Sequence, residues 1–134
     1  MPTDDELRSI YADTKTIAVV GASGDASKPA HSIPRYLQKA GFRIIPVSPK
    51  GGELFGEQVR ASLADIEEPV DVVDVFRPAE EAPGIARQAA EMGAKVLWLQ
   101  AGVSSDEASE IATAAGLAVV MDMCMGETHQ RLFA

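Results

Sequence analysis

The chain has 134 residues, 46% of them hydrophobic, with a formal net charge of −8 and a single cysteine. That length suits one domain, expected over 1–134, built on a single covered sheet, and the composition is that of a folded chain. An acidic balance of this size excludes non-specific binding to DNA, RNA or an anionic membrane, and a lone cysteine excludes an internal disulfide.

No apolar run approaches the roughly 18 residues of a membrane span. The acidic start at Thr3-Asp4-Asp5-Glu6 is unlike the basic head of a signal peptide. The expected location is therefore the cytoplasm, whose reducing conditions suit an unpaired thiol.

In chain order, Thr3-Asp4-Asp5-Glu6 has the spacing of a capping box, and Leu7, Ile10 and Tyr11 recur at helical intervals. Together they predict a short helix over 4–13. Ile17 to Val20 is an apolar, partly β-branched run with almost no polar residue, the pattern of a parallel strand buried on both faces. A loop over 21–29 follows. Ile33, Leu37 and Ala40 mark the face of the next helix, in which Pro34 is acceptable only in the first turn, and Gly41 ends it.

Phe42 to Val47 is the second predicted strand. Pro46 removes a ladder donor, so this strand is expected at an edge or close to its own end. Residues 53–56 read as a short extended piece and 61–64 as a turn of helix. The third strand covers 70–76. Pro78 and Pro83 bracket the acidic first turn of the following helix, with Glu80 and Glu81 in it, and Gly93 closes it. Val96 to Leu99 is the fourth strand. Ser104-Ser105-Asp106-Glu107 reads as a second capping box before an alanine-rich helix that stops at Gly116. Residues 117–121 form the fifth strand and 126–132 the last helix.

Strand and helix alternate at the spacing of βα units, which predicts an α/β fold: a doubly wound, parallel, five-stranded sheet with helices on both faces. The expected strand order is 3-2-1-4-5. In such a sheet ligands lie beyond the carboxyl ends of the strands, near the reversal of strand order, here expected between the first and fourth.

The residues just after each strand are therefore the candidates. Gly21 allows a tight turn, Ala22 and Ser23 are small enough for a pyrophosphate to approach their N–H groups, and the Ser23 hydroxyl adds a donor. The full GxGxxG pattern is absent, because Ser23 stands where the second glycine would be. After the second strand, NAD sites carry an acid for the ribose hydroxyls, whereas this chain has Ser48, Pro49 and Lys50. A lysine there attracts a ribose phosphate, which favours coenzyme A or NADP over NAD. Lys28 and Arg77 add two cations to the same expected rim. Phe76 can pack on an adenine or a pantetheine arm, or in the core. Gln100 and Gly102 follow the fourth strand, where they serve either a ligand or the turn itself.

Cys124 reads either as a thiol beside a sulfur-containing ligand or as a buried small hydrophobe. His31 and His129 form no triad with a serine and an acid, and no metal-ligand spacing is visible. His31 is expected at the ligand-side start of its helix, and His129 on the last helix near a subunit contact. Asp71 and Asp74, three apart on a strand, point to opposite faces and form no carboxylate pair.

Taken together, Ile17-Ala18-Val19-Val20-Gly21-Ala22-Ser23, Lys28-Pro29 leading into Pro34-Arg35-Tyr36-Leu37, Pro46-Val47-Ser48-Pro49-Lys50, Val73-Asp74-Val75-Phe76-Arg77-Pro78, Trp98-Leu99-Gln100-Ala101-Gly102, Asp122-Met123-Cys124-Met125 and His129-Gln130-Arg131-Leu132 cover nearly the whole chain. In that order they resemble the small stand-alone CoA-binding proteins that share a Rossmann-like domain with the α subunit of succinyl-CoA synthetase. The resemblance implies coenzyme A as the ligand. It places the Gly21-Ala22-Ser23 loop at the phosphates and Lys50 with its neighbours Ser48 and Pro49 at the adenosine end, with Lys28 and Pro29 as further candidate binding residues. Phe76, Arg77, Gln100 and Gly102 then line the groove, and Cys124 is a further candidate binding residue. Family members usually carry asparagine where this chain has Ser48. The synthetase subunit also continues into a second domain bearing a phosphorylated histidine, which neither His31 nor His129 matches, so ligase activity is not implied.

The sequence thus points to a CoA- or acyl-CoA-binding module without evident catalysis, an accessory or sensor for acyl-CoA metabolism. An NADP(H)-binding redox protein and a CoA-thioester enzyme using Cys124 are the alternatives. Apolar positions on the last helix are compatible with a homodimer.

Overall fold

Short apolar runs become strands here because both of their faces are covered. The computed structural model describes residues 2–133; Met1 and Ala134, the two ends of the expected domain, lie outside the described residues. Helix α1 (Asp4–Asp13) leads to β1 (Thr16–Val20), α2 (Pro29–Lys39) and β2 (Arg43–Val47). A small hairpin follows, β3 (Glu53–Leu54) and β4 (Glu57–Gln58), and then β5 (Val72–Val75), α3 (Ala82–Glu91), β6 (Val96–Leu99), α4 (Asp106–Ala114), β7 (Ala118–Val120) and α5 (Met125–Phe133). Every residue of β5 and β6 is buried. On one face Ala18, Ile45, Val73, Val75, Leu97 and Leu99 pack under α3 and α4. On the other, Ile17, Val19, Ile44, Val72 and Trp98 pack under α1, α2 and α5. The result is a five-stranded, all-parallel, doubly wound Rossmann-like sheet.

The strand order is β2-β1-β5-β6-β7. Counting the five long strands along the chain this is 2-1-3-4-5, which corrects the expected 3-2-1-4-5. Pro46 supplies the reason. Its carbonyl accepts the Arg60 N–H at 3.0 Å on the outer side of β2, so the donor that proline lacks is missing from that same side. A full strand docked there would meet a gap in the ladder. The third long strand joins β1 instead, with Phe76 N–H donating to the Val20 carbonyl. The outer edge of β2 is covered by an isolated bridge at Val47–Arg60. Two arginines and two glutamates fasten it: Arg43 reaches Glu57 and Glu68 at 3.0 and 2.7 Å, and Arg60 reaches the same pair at 3.5 and 3.3 Å.

Two further expectations are corrected. Pro34 is not in a first turn. Helix α2 starts at Pro29, five residues earlier, and Pro34 lies buried inside it. The cap of α4 is Ser105, whose side chain accepts the Ala108 N–H at 3.1 Å. Its third helical residue is Ala108, so the acidic half of a capping box is missing there. The box at α1 does form, with Glu6 N–H on Thr3 Oγ1 and Thr3 N–H on Glu6 Oε1.

Candidate functional site

The reversal of strand order falls between β1 and β5, and a cavity of about 720 Å³ opens at their carboxyl ends and that of β2. That is the crevice in which this sheet topology places ligands, and the size is that of a small-molecule pocket. Val20, Val47 and Phe76 mark the three strand ends in its wall, with Leu54, Leu63 and Ile85 completing an apolar lining.

Its floor is the loop after β1. Gly21 has φ +89°, and a Cβ there would lie 2.9 Å from the Phe76 carbonyl oxygen and 2.8 Å from Arg77 Cδ. Only glycine lets the backbone turn this close to β5. The Gly21 N–H is committed to the Val47 carbonyl at 2.9 Å and the Ser23 N–H to the Ala30 carbonyl at 3.2 Å. Ser23 is therefore not the free backbone donor that its position in the sequence suggests. Among the described residues the amides of Ala22 and Gly24 have no hydrogen-bond partner, and both residues line the cavity. His31, on the ligand-side start of α2, holds the Ser23 carbonyl through Nδ1 at 2.8 Å, which fixes that nitrogen as the protonated one. Phe55 packs on its ring at 5.1 Å.

At the β2 end, the Ser48 hydroxyl accepts the Lys50 N–H at 3.3 Å. Serine here closes the same kind of side-chain turn that an asparagine would. Pro49 and Lys50 are exposed on the rim, as is Lys28 at the N-cap of α2. Lys28 makes no side-chain bond to the start of its helix, and alongside the Ser27 hydrogen bonds its charge helps to hold the nearby Asp25 carboxyl below the usual range.

At the β5 end the charge balance differs from the sequence expectation. Arg77 is paired with Glu81 one helical turn on, Nη2 to Oε2 at 2.6 Å, and Glu81 lines the cavity as well. The guanidinium holds the Glu81 carboxyl below the usual range. Three rim cations are therefore accompanied by one carboxylate.

A family model described as the CoA binding domain matches residues 15–130. The chain belongs to this family. The Bacillus subtilis protein YneT is 38% identical over 128 residues, 96% of this chain and 95% of its own length. A Thermus thermophilus structure, cell-free ID.343, superposes with a TM-score of 0.94 at 44% identity over 98% of this chain and 100% of that one. The ADP-forming acetate–CoA ligase of Methanocaldococcus jannaschii is 28% identical over 98% of this chain, which spans 20% of the ligase. This CoA-binding domain is thus homologous to one segment of a larger enzyme.

Of the thirteen candidates, Gly21, Ala22, Ser23, Lys28, Ser48, Pro49, Lys50, Phe76 and Arg77 come together in the cavity wall of the CoA-binding domain, whereas Pro29, Gln100, Gly102 and Cys124 are outside it. The strand order accounts for the last three, because β6 and β7 lie beyond β5, away from the crevice. Gln100 is buried and ties strand to helix: its Nε2 donates to Asp74 Oδ1, and its Oε1 accepts the Met125 N–H at 3.3 Å. Gly102 donates its N–H to Asp122 Oδ1 at 2.7 Å. Cys124 is buried, its Sγ accepts the Glu127 N–H at 3.5 Å, and burial pushes its thiol up from the ordinary value. That environment suits a small hydrophobe more than a nucleophile. His129 sits among Tyr11, Tyr36, Phe42 and Phe133, its Nδ1 bonded to the Tyr36 hydroxyl at 2.9 Å. Its role is within the fold, between α2 and α5. Among the described residues no cluster of metal-ligating side chains occurs and no helix is long and apolar enough to cross a membrane.

Sequence reasoning missed Ala61, Ser62 and Leu63 in the wall, and Glu81 beside Arg77. The i, i+4 spacing of Arg77 and Glu81 was the available signal. For 61–63 no local signal exists, since the segment arrives only through the bridge of Arg60 to β2. Asp74 was also missed. It is fully buried, its Oδ2 has no partner among the described residues, and burial raises its carboxyl to about 7.

Proposed function

We propose that this CoA-binding domain holds the 3′-phospho-ADP end of coenzyme A or of an acyl-CoA in the cavity at the β1–β5 crevice. In this reading the domain is a binding module, accessory or sensory, for acyl-CoA metabolism. The observation that carries it is the β2 end, where Ser48, Pro49 and Lys50 put a cation at the position that dinucleotide sites for NAD reserve for an acid. Lys50 takes the ribose phosphate, and the free amides of Ala22 and Gly24, with Lys28, take the pyrophosphate. Phe76 and Leu54 offer apolar surface to the adenine, and Arg77 exchanges Glu81 for a phosphate of the ligand. Pro29 orders the start of α2. Gln100, Gly102 and Cys124 hold the β6 and β7 ends together. Phe133 at the end of α5 is exposed, and the oligomeric state in solution tests whether that helix carries a homodimer.

A ribose phosphate is common to coenzyme A and NADP. What favours coenzyme A is membership of the CoA-binding domain family. Isothermal calorimetry of the unmodified chain with coenzyme A, NADP and NAD separates the ligands. Saturable binding of coenzyme A, with NADP weaker and NAD weaker still, is the expected result. Binding of NADP with none of coenzyme A overturns the reading in favour of a redox protein.

A further inference from the structure

A proline in the interior of a helix removes one N–H and orphans the carbonyl four residues earlier. In α2 that proline is Pro34 and that carbonyl is Ala30's. The Ala30 oxygen is not left unpaired, because the Ser23 N–H donates to it at 3.2 Å. The same helix takes hold of the other side of Ser23, where His31 Nδ1 donates to its carbonyl at 2.8 Å. Both polar groups of one loop residue are thus bound by one helix, and one of the two bonds falls on the carbonyl for which the helix has no donor of its own.

We propose that Pro34 is a positioning residue for the ligand loop. By withholding an N–H from the Ala30 carbonyl it lets α2 grip Ser23. The loop is thereby fixed with the flanking Ala22 and Gly24 amides unengaged along the cavity. A helix with an ordinary residue at 34 would satisfy Ala30 internally, and the Ser23 amide would lose its partner. The cost of an interior proline is accepted at a buried position of α2, and the gain appears eleven residues earlier, in the loop. Phe55, with φ +56° at the tip of the β3–β4 hairpin, covers the clamp: its ring packs on His31, and its carbonyl accepts Gln38 Nε2 at 2.7 Å.

The consequence for coenzyme A rests on the reading above; the clamp itself does not, so the two are tested separately. In Pro34→Ala, hydrogen exchange at the Ser23 amide, followed by NMR without ligand, should accelerate about tenfold or more, the equivalent of losing one net hydrogen bond. The amide that the substitution introduces into the helix should be protected. Coenzyme A should then bind about tenfold more weakly by calorimetry, with a thermal midpoint unchanged or raised. Weaker binding with Ser23 exchange unchanged overturns the proposal, as does unchanged binding with Ser23 released. The unmodified chain supplies a test that needs no variant: Ser23 must exchange more slowly than Gly24, and equal rates overturn the clamp. If the unmodified chain does not bind coenzyme A, the functional reading fails while the exchange data still decide the role of Pro34.

Discussion

Glu81 decides how much of the Arg77 charge a ligand can use. The Arg77–Glu81 pair lies at the surface, where solvent screens it, whereas a bidentate arginine–phosphate contact makes two charge-assisted bonds to a group of higher charge. A phosphate reaching Arg77 therefore displaces the carboxylate, which then remains nearby as a repulsive charge. Glu81→Gln removes both the competitor and the repulsion. At separations of about 6 Å in a partly aqueous site this should tighten coenzyme A about three- to tenfold, and the gain should shrink as salt is raised. Calorimetry at two ionic strengths measures it. Weaker binding in the variant would instead make Glu81 an acceptor for a ligand hydroxyl or amino group. The same pair also shows a limit of sequence reading. Arg77 is visible as a cation at a strand end, but its partner reads only as part of a helix turn, because nothing in the sequence says that the turn folds back over the strand end.

At the scale of elements, α5 is tied to the sheet by a chain of buried polar groups. Asp74 on β5 accepts from Gln100, Gln100 accepts from Met125 N–H at the start of α5, and the Tyr11 hydroxyl donates to the Met125 carbonyl at 2.6 Å. Trp98 adds a bond to the Met123 carbonyl at 2.8 Å. The helix also comes close to α2, since a Cβ on Gly126 would meet Ile33 Cγ2 at 3.1 Å. Asp74 is the weak member. Its carboxyl is raised to about 7 in the folded chain by burial, from 3.8. Between those values the folded state holds a proton that the unfolded state has lost, so the contribution of Asp74 to stability falls as pH rises from about 4 to 7 and is constant above that. Asp74→Asn keeps the acceptor for Gln100 and cannot ionise. Its stability relative to the unmodified chain should therefore grow across that interval, by at most about 4 kcal/mol, and then level off. Urea unfolding at pH 4, 5.5, 7 and 8 checks this, and a difference independent of pH would contradict it. The place of Asp74 in the strand was legible, but its full burial was not, because nothing in the run itself says that the neighbouring strand and α5 cover that face.

For the whole molecule, alternation of strands and helices made the class of fold legible, and the capped first helix and the buried β1 were legible residue by residue. The strand order was not, although the decisive signal was present. Pro46 argues for an edge, and an order of 3-2-1-4-5 puts that strand inside the sheet; the two expectations conflict, and the local chemistry wins. The error moved the expected crevice from β1 and β5 to the first and fourth strands. That is why residues after β1, β2 and β5 converge while Gln100, Gly102 and Cys124 stand apart. The net charge of −8 makes the two exposed cations Lys28 and Lys50 on one rim conspicuous.

The claim that this rim reads a ribose phosphate is tested most directly by one thermodynamic cycle, with unmodified chain and Lys50→Ala each titrated with coenzyme A and with dephospho-CoA. Loss of one charge-assisted bond, roughly 1.5–3 kcal/mol, predicts about tenfold to hundredfold weaker coenzyme A binding in the variant, while dephospho-CoA binds both chains alike. An equal loss for both ligands, or no loss for either, would contradict the assignment of Lys50 to the phosphate.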